Sequence, residues 1–202
     1  MIKVQQKDKT TLITLNRPDK ANALTEQMLR DLCNAVDSAE GQHGLILTGS
    51  GKVFSAGADL EAARNGLALS TLWEELSFKV AQFKGMSIAA LNGTVAGGAN
   101  GMAIACDIRL IAPHAKFFYP VMKLGILPQA SDPIRMQRLI GPAKTKLLIM
   151  AGGKISAFTA LDWGLVDYIV EPEALIERAF DLLSDCINAD REHINTISKM
   201  FK

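Results

Sequence analysis

The sequence predicts an α/β fold, because short apolar runs typical of buried strands alternate with segments that have the spacing of helices. Residues 45–48 and 88–91 are two such runs, and each leads through small residues into a helix-like segment. The order strand–strand–helix recurs along the chain. With 202 residues, 49% of them hydrophobic, the chain is long enough for one domain with a substantial core.

The stretch after residues 88–91 contains Gly97, Gly98 and Gly101. Glycine has no Cβ, so a strand-to-helix turn built from it lets the backbone approach a ligand closely. The first N–H groups of the following helix have no partner inside it and could hold an anion or a developing oxyanion. From spacing alone, an alternative stays open: the glycines could serve only to pack a helix tightly against a sheet.

A second small-residue turn, residues 54–60 with the sequence FSAGADL, follows the strand at residues 45–48. Two such turns could each contribute one N–H group to a single carbonyl oxygen. The pair of turns therefore favours a ligand site over simple packing.

Local patterns predict the elements of the first half of the chain. Residues 2–4 and 10–15 are apolar or β-branched, as in a hairpin. Thr25 is a candidate helix N-cap. Apolar side chains then recur at helical spacing in two segments, one with Leu29, Leu32, Val36 and Ala39, the other with Trp73, Leu76, Val80 and Phe83. Both faces are expected to pack into the core.

Helix boundaries are also marked in the second half. The dipeptide Asp132-Pro133 combines an N-cap residue with proline at the first helical position. Ser156 is a candidate cap of a helix that ends at Gly164. Residues 174–187 and 192–201 have the pattern of amphipathic helices.

Composition excludes several classes of partner. A formal net charge of +1 gives no reason to expect nucleic acid or an anionic membrane surface. No apolar run is long enough to span a membrane, and the first residues lack the apolar core of a signal peptide. The 3 cysteines show neither disulfide nor metal-site spacing, which fits a reducing cytoplasm.

Four motifs occur in order: residues 54–60, residues 92–98, the pair Cys106-Asp107 and residues 164–167. Over about residues 10–200, the chain resembles the crotonase (enoyl-CoA hydratase/isomerase) superfamily. The resemblance implies a spiral of ββα units in residues 1–170, followed by a C-terminal helical segment, residues 171–202, that is shorter than in the family. In the family, those helices help to cover the acyl-CoA site and to build a trimer. A shorter segment would leave the family's trimer surface partly uncovered, and because exposed apolar patches tend to find partners, a homotrimer or hexamer is expected.

The resemblance also implies a site for a CoA thioester. The backbone N–H groups of Ala56 and Gly98 would form an oxyanion hole for the thioester carbonyl. The other positions that match binding residues of the family are Lys20, Ala21, Ala23, Leu24, Ala58, Asp59, Leu60 and Gly97. Lys20 suits a phosphate of CoA, whereas Asp59 could simply favour a helix start. Neither a metal nor a cofactor beyond the substrate's own CoA is implied.

The family's catalytic acids are missing from this sequence. The three positions where relatives carry them hold Gly101, Val121 and Gln129, none of which is a general base at neutral pH. Asp132 is the nearest titratable replacement, although capping the helix before Pro133 is its simpler role.

The resemblance implies an enzyme, a lyase or isomerase of fatty acid metabolism, that binds an acyl-CoA and polarises its thioester. Because the hydratase glutamates are absent, the reaction could be isomerisation, decarboxylation or hydrolysis rather than hydration. The alternative is a catalytically silent acyl-CoA-binding subunit.

Overall fold

The computed structural model describes residues 1–201, and Lys202, the last residue of the predicted segment 171–202, lies outside them. The strands are β1 (Ile2–Lys7), β2 (Thr10–Leu15), β3 (Gly44–Gly49), β4 (Val53–Ser55), β5 (Met86–Leu91), β6 (Thr94–Ala96), β7 (Ile108–Ile111), β8 (Lys116–Phe118), β9 (Lys154–Ser156) and β10 (Tyr168–Ile169). The α-helices are α1 (Glu26–Ser38), α2 (Leu60–Arg64), α3 (Leu72–Ala81), α4 (Ala99–Ala105), α5 (Val121–Leu124), α6 (Asp132–Ile149), α7 (Ala157–Trp163), α8 (Leu175–Asn188) and α9 (Arg191–Lys199).

The strands form two sheets, and the chain alternates between them. The larger sheet has the order β1-β2-β3-β5-β7-β10, and the smaller has the order β4-β6-β8-β9. The pairs β3/β4, β5/β6 and β7/β8 therefore each place one strand in each sheet before the chain enters a helix. This repetition is the predicted spiral of ββα units, and it confirms the α/β assignment.

Local signals set most element boundaries as predicted. Strands β1 and β2 pair as an antiparallel hairpin. The Thr25 side chain accepts a hydrogen bond from the Met28 N–H at the start of α1, and Ser156 accepts one from the Thr159 N–H at the start of α7. Helix α7 ends at Gly164, whose φ of +80° suits glycine. Helix α6 is interrupted at Gly141, directly before Pro142.

Each face of the larger sheet packs against helices. On one face, α1, α3 and α4 contribute to the main core, which includes the predicted apolar faces of α1 and α3. On the other face, Leu175, Ala179 and Leu183 of α8 pack against β3, β5 and β7. The helix predicted over residues 174–187 is thus an integral layer of the structure.

Within residues 1–201, no helix combines the length and the hydropathy needed to cross a bilayer.

The buried amide of Asn92 ties the loop after β3 to the end of β5. Its Oδ1 accepts the Gly49 N–H at 3.0 Å, and its Nδ2 donates to the Gly51 carbonyl at 2.8 Å. We expect Asn92→Ala to lower the free energy of unfolding by about 1–3 kcal/mol, because it leaves these buried backbone groups unpaired. Urea denaturation measures the loss, with the exposed Asn34→Ala on α1 as the control. Equal stability of the two variants would contradict this role.

Candidate active site

Parallel pairing in the smaller sheet brings the two glycine-containing turns together. Strands β4 and β6 are parallel, with Val53 opposite Thr94, so the turns that follow them emerge at the same edge. Gly57 and Gly97 have φ of +87° and +55°. A Cβ on Gly57 would lie 2.8 Å from the Ala96 carbonyl oxygen and 3.4 Å from the Gly97 Cα. Only glycine therefore allows the turns this close an approach.

A cavity of about 450 Å³ opens beside the two turns. Its wall is largely apolar and contains, from the predicted set, Ala56, Ala58, Leu60, Gly97 and Gly98. The segment after β8 forms the opposite side, because β8 is parallel to β6 and ends at the same edge. The remaining predicted residues, Lys20, Ala21, Ala23, Leu24, Asp59 and Asp132, lie outside the wall.

The connector with Lys20 to Leu24 supports the first turn from behind. The Leu24 N–H donates to the Gly57 carbonyl at 2.7 Å, and the Asp59 N–H donates to the Leu24 carbonyl at 2.8 Å. Lys20 is exposed, whereas the Leu24 side chain is fully buried in the core. The connector thus lies beside the site, and a contact between Lys20 and CoA stays a prediction.

Asp59 is the N-cap residue of α2, in agreement with the simpler role considered for it from the sequence. Its Oδ1 accepts the N–H groups of Glu61 and Ala62 at the start of α2. Its Oδ2 accepts Arg17 Nη1 at 2.7 Å. The hydrogen bond from the Arg17 guanidinium, together with these N–H groups, lowers the pKa of the Asp59 carboxyl. Asp59 therefore fixes the turn and is held ionised.

The prediction that Ala56 is an oxyanion donor is wrong. Its N–H already donates to the Ala21 carbonyl at 3.0 Å, so it is not free for a ligand. The N–H groups of Ala58 and Gly98 find no acceptor anywhere in residues 1–201. Both residues line the cavity, one from each turn. The free donor of the first turn is therefore two residues further along than predicted.

Gly98 is also constrained by its neighbours. A Cβ there would lie 2.8 Å from Trp73 Cε3. The indole of Trp73 is held in place because its Nε1 donates to the Leu67 carbonyl at 2.8 Å. Trp73 thus covers the start of α4 and places the first turn of α3 at the cavity.

Gln129 occupies the space beside Gly101, the first of the vacant acid positions. A Cβ on Gly101 would lie 2.5 Å from both terminal atoms of the Gln129 amide. Gln129 Nε2 donates to the Gly98 carbonyl at 2.8 Å, and Ser77 Oγ donates to Gln129 Oε1 at 3.2 Å. Val121, at the second position, is buried at the start of α5. The amide thus links α3 to the second turn and fills the space that a side chain on residue 101 would need.

Asp132 is not a helix cap, in contrast to the simpler of its two predicted roles. Helix α6 begins at Asp132 itself, and Ser131 is in the N-cap position. Tyr119 Oη donates to Asp132 Oδ2 at 2.8 Å, while Oδ1 has no partner within the described chain. Burial raises the pKa of Asp132 to about 7. The carboxyl lies behind Tyr119 rather than in the cavity wall, so it is poorly placed to touch a substrate.

Tyr119 connects Asp132 to the cavity. Tyr119 lines the cavity, and its phenol donates a hydrogen bond to Asp132. Burial, and next the negative charge of Asp132, raise the pKa of the Tyr119 phenol, which keeps it protonated. Its Oη also accepts the Gln129 N–H at 3.3 Å. The Asp132–Tyr119 pair therefore positions Gln129.

Glu74 is a site residue that the sequence analysis missed. In residues 1–201, it supplies the single carboxylate of the cavity wall. Its Oε2 accepts the Ser131 N–H at 3.1 Å. The spacing of Trp73, Leu76 and Val80 correctly predicted a core-facing stripe, but Glu74 beside that stripe resembled an ordinary acidic residue in the first turn of a helix. No local pattern distinguished it.

The side chains that commonly bind metal ions are not clustered within residues 1–201. In the described chain, no three His, Cys, Asp or Glu side chains are grouped so that they could hold an ion.

The raised pKa of Asp132 predicts a pH-dependent stability. Between its ordinary pKa of 3.8 and about 7, the folded protein binds a proton that the unfolded chain has lost. The free energy of unfolding therefore falls as the pH rises through this window. Asp132→Asn keeps an acceptor for Tyr119 but does not titrate. We expect the Tm of this variant to rise relative to the Tm of the wild type as the pH is raised from about 5 to about 8. The exposed Asp162→Asn is the control, and parallel Tm profiles for all three proteins would contradict the assignment.

Comparison with known proteins places the chain in a family. A family model described as enoyl-CoA hydratase/isomerase matches residues 5–202. The carnitinyl-CoA dehydratase of Salmonella typhi is 34% identical over 203 residues, which cover 94% of this chain and 76% of that protein. The crotonyl-CoA hydratase of Syntrophomonas wolfei is 35% identical over 182 residues, 86% of this chain and 70% of that protein.

Solved structures agree with the fold. The enoyl-CoA hydratase of Bacillus anthracis superposes with a TM-score of 0.90 at 31% identity, covering 98% of this chain and 81% of that one. The architecture is therefore the crotonase fold, and the chain belongs to the enoyl-CoA hydratase/isomerase family.

Proposed function

We propose that the protein is an enzyme that binds an acyl-CoA in the cavity and stabilises negative charge on its thioester oxygen. The observation that carries this proposal is the pair of N–H groups, on Ala58 and Gly98, that have no acceptor within residues 1–201 and belong to residues of one cavity wall. Preorganised donors of this kind stabilise a developing oxyanion by several kcal/mol. Two relatives, named as a carnitinyl-CoA dehydratase and a crotonyl-CoA hydratase, support an acyl-CoA as the substrate.

The apolar wall strengthens this chemistry. Hydrogen bonds to a developing charge are stronger where water is excluded, because the local dielectric constant is lower. An acyl chain would also find apolar contacts with Leu60, Phe118 and Ile126. The protein would therefore favour reactions in which the thioester becomes an enolate or a tetrahedral adduct.

We further propose that the reaction is isomerisation, decarboxylation or hydrolysis rather than hydration. Adding water across a double bond requires one group to activate the water and another to deliver a proton. Gly101, Val121 and Gln129 supply neither, and Gln129 fills the space beside Gly101. A catalytically silent acyl-CoA-binding subunit is the competing hypothesis.

The remaining parts of the proposal concern the surroundings of the site. Lys20, exposed on the connector behind the first turn, would contact a phosphate of CoA. A homotrimer or hexamer in the cytoplasm is the expected form. Exposed apolar side chains on α5 to α7, among them Met122, Leu147 and Phe158, support self-association.

Carbonyl polarisation is the direct test of the proposed oxyanion hole. Bound cinnamoyl-CoA should absorb at longer wavelength than the free thioester, because the donors draw electron density toward the carbonyl. Gly98→Pro removes one N–H, and the φ of −60° at this position suits proline. A Cβ on residue 98 would collide with the ring of Trp73, so the variant is made in a Trp73→Ala background. The control is Trp73→Ala alone. Binding without any spectral shift in the wild type would refute the oxyanion hole, and absence of binding would refute the acyl-CoA assignment.

Hydration of crotonyl-CoA should be at least about 100-fold slower than in an enzyme with both glutamates, because each well-placed acid or base contributes about 10²–10⁴-fold. Loss of the enoyl absorbance measures the rate. Restoring activity requires room as well as carboxylates, so we expect Gly101→Glu/Val121→Glu to need Gln129→Ala in addition. Turnover of crotonyl-CoA by the wild type at ordinary hydratase rates would contradict the proposal that the reaction is not hydration.

A further inference from the structure

We infer that Glu74 is the general base of this site, acting on the α-carbon of the bound acyl group. The inference rests on the proposed function and adds the catalytic group that the three acid positions lack. The first observation is the position of Glu74, which is the one carboxylate in the cavity wall within residues 1–201.

Packing holds Glu74 close to the predicted oxyanion site. Trp73, the preceding residue, covers Gly98 so closely that a Cβ on Gly98 would lie 2.8 Å from its ring. Gln129 adds a second link, because its amide bonds both the Gly98 carbonyl and Ser77, one turn further along α3. The start of α3, which carries Glu74, is thus fixed against the turn whose N–H would bind the thioester oxygen.

The carboxylate of Glu74 is oriented but not neutralised. Its Oε2 accepts the Ser131 N–H at 3.1 Å, while Oε1 accepts no hydrogen bond from residues 1–201. None of the ion pairs of the described chain includes Glu74, in contrast to the adjacent Glu75, which lies 3.7 Å from Lys79. One oxygen is therefore anchored and the other is available to accept a proton.

The step needs no other reactant. A Glu74 oxygen takes a proton from Cα, the C–H electron pair forms the Cα–C double bond, and the carbonyl π pair moves onto the thioester oxygen. The resulting enolate would be held by the N–H groups of Ala58 and Gly98. Return of the proton to Cα regenerates the substrate. With a 3-enoyl-CoA, delivery of the proton to Cγ shifts the double bond and yields the 2-enoyl-CoA, so one carboxylate is sufficient for isomerisation.

Exchange of the α-protons of butyryl-CoA in D₂O, followed by proton NMR, tests the inference directly. We expect exchange in the wild type and a rate about 10²–10⁴-fold lower in Glu74→Gln. Glutamine keeps an oxygen for the Ser131 N–H, so the variant removes the base with little change in structure. Glu75→Gln, the neighbouring residue on the outer face of α3, is the matched control and should exchange at the wild-type rate.

Chemical rescue separates catalysis from structure. In Glu74→Ala, added formate should restore exchange in proportion to its concentration, because a small carboxylate can occupy the vacated space and accept the proton. A purely structural role for Glu74 would not respond to formate.

The outcomes distinguish this inference from the proposed function. If butyryl-CoA stabilises the wild type against heat but Glu74→Gln exchanges at the wild-type rate, Glu74 is not the base while the acyl-CoA site stands. If the wild type binds and shows no exchange, the inference fails in favour of the silent subunit. If the wild type does not bind butyryl-CoA, the proposed function fails and the inference with it.

Discussion

The contact between the backbones of Gly57 and Gly97 is the constraint on which the site depends. Parallel pairing of β4 and β6 sends both following turns to one edge of the smaller sheet, and any Cβ on Gly57 would collide with the second turn. Because this approach is possible only with glycine, the two turns can place one free N–H each beside the same cavity. The connector at Ala21 and Leu24 braces the first turn from behind, so its geometry is fixed before any ligand arrives.

Around this contact, the polar groups form one connected network. Asp132 holds the Tyr119 phenol, Tyr119 accepts the Gln129 N–H, and the Gln129 amide reaches the second turn at Gly98. Burying Asp132 is unfavourable at neutral pH, since desolvation raises its pKa to about 7 and one of its oxygens has no partner in the described chain. Asp132 does not line the cavity. Its effect on the site is indirect, because it orients Tyr119 and, through it, Gln129, which do line the cavity.

The same network also bears on the chemistry that we propose for the cavity. Gln129 fills the space beside Gly101, which leaves that part of the wall uncharged. Glu74 then stands as a single carboxylate in a largely apolar wall, fixed through Ser131 and through the packing of Trp73 on Gly98. A site with one carboxylate suits moving one proton between Cα and Cγ of an acyl chain, whereas adding water across a double bond requires a second acid or base.

Features encoded by neighbouring residues could be predicted from the sequence. The hairpin, the caps Thr25 and Ser156, the apolar stripe of α1 and the two small-residue turns all follow from patterns a few residues long, and the order of the motifs predicted the family. Tertiary structure alone decided which groups of those turns are free. The Ala56 N–H is satisfied by Ala21, Asp132 bonds Tyr119 instead of capping α6, and Glu74 reaches a cavity formed by three other segments. Each of these contacts joins residues distant in the chain, and a hydrogen bond between distant residues leaves no periodicity or local pattern in either segment.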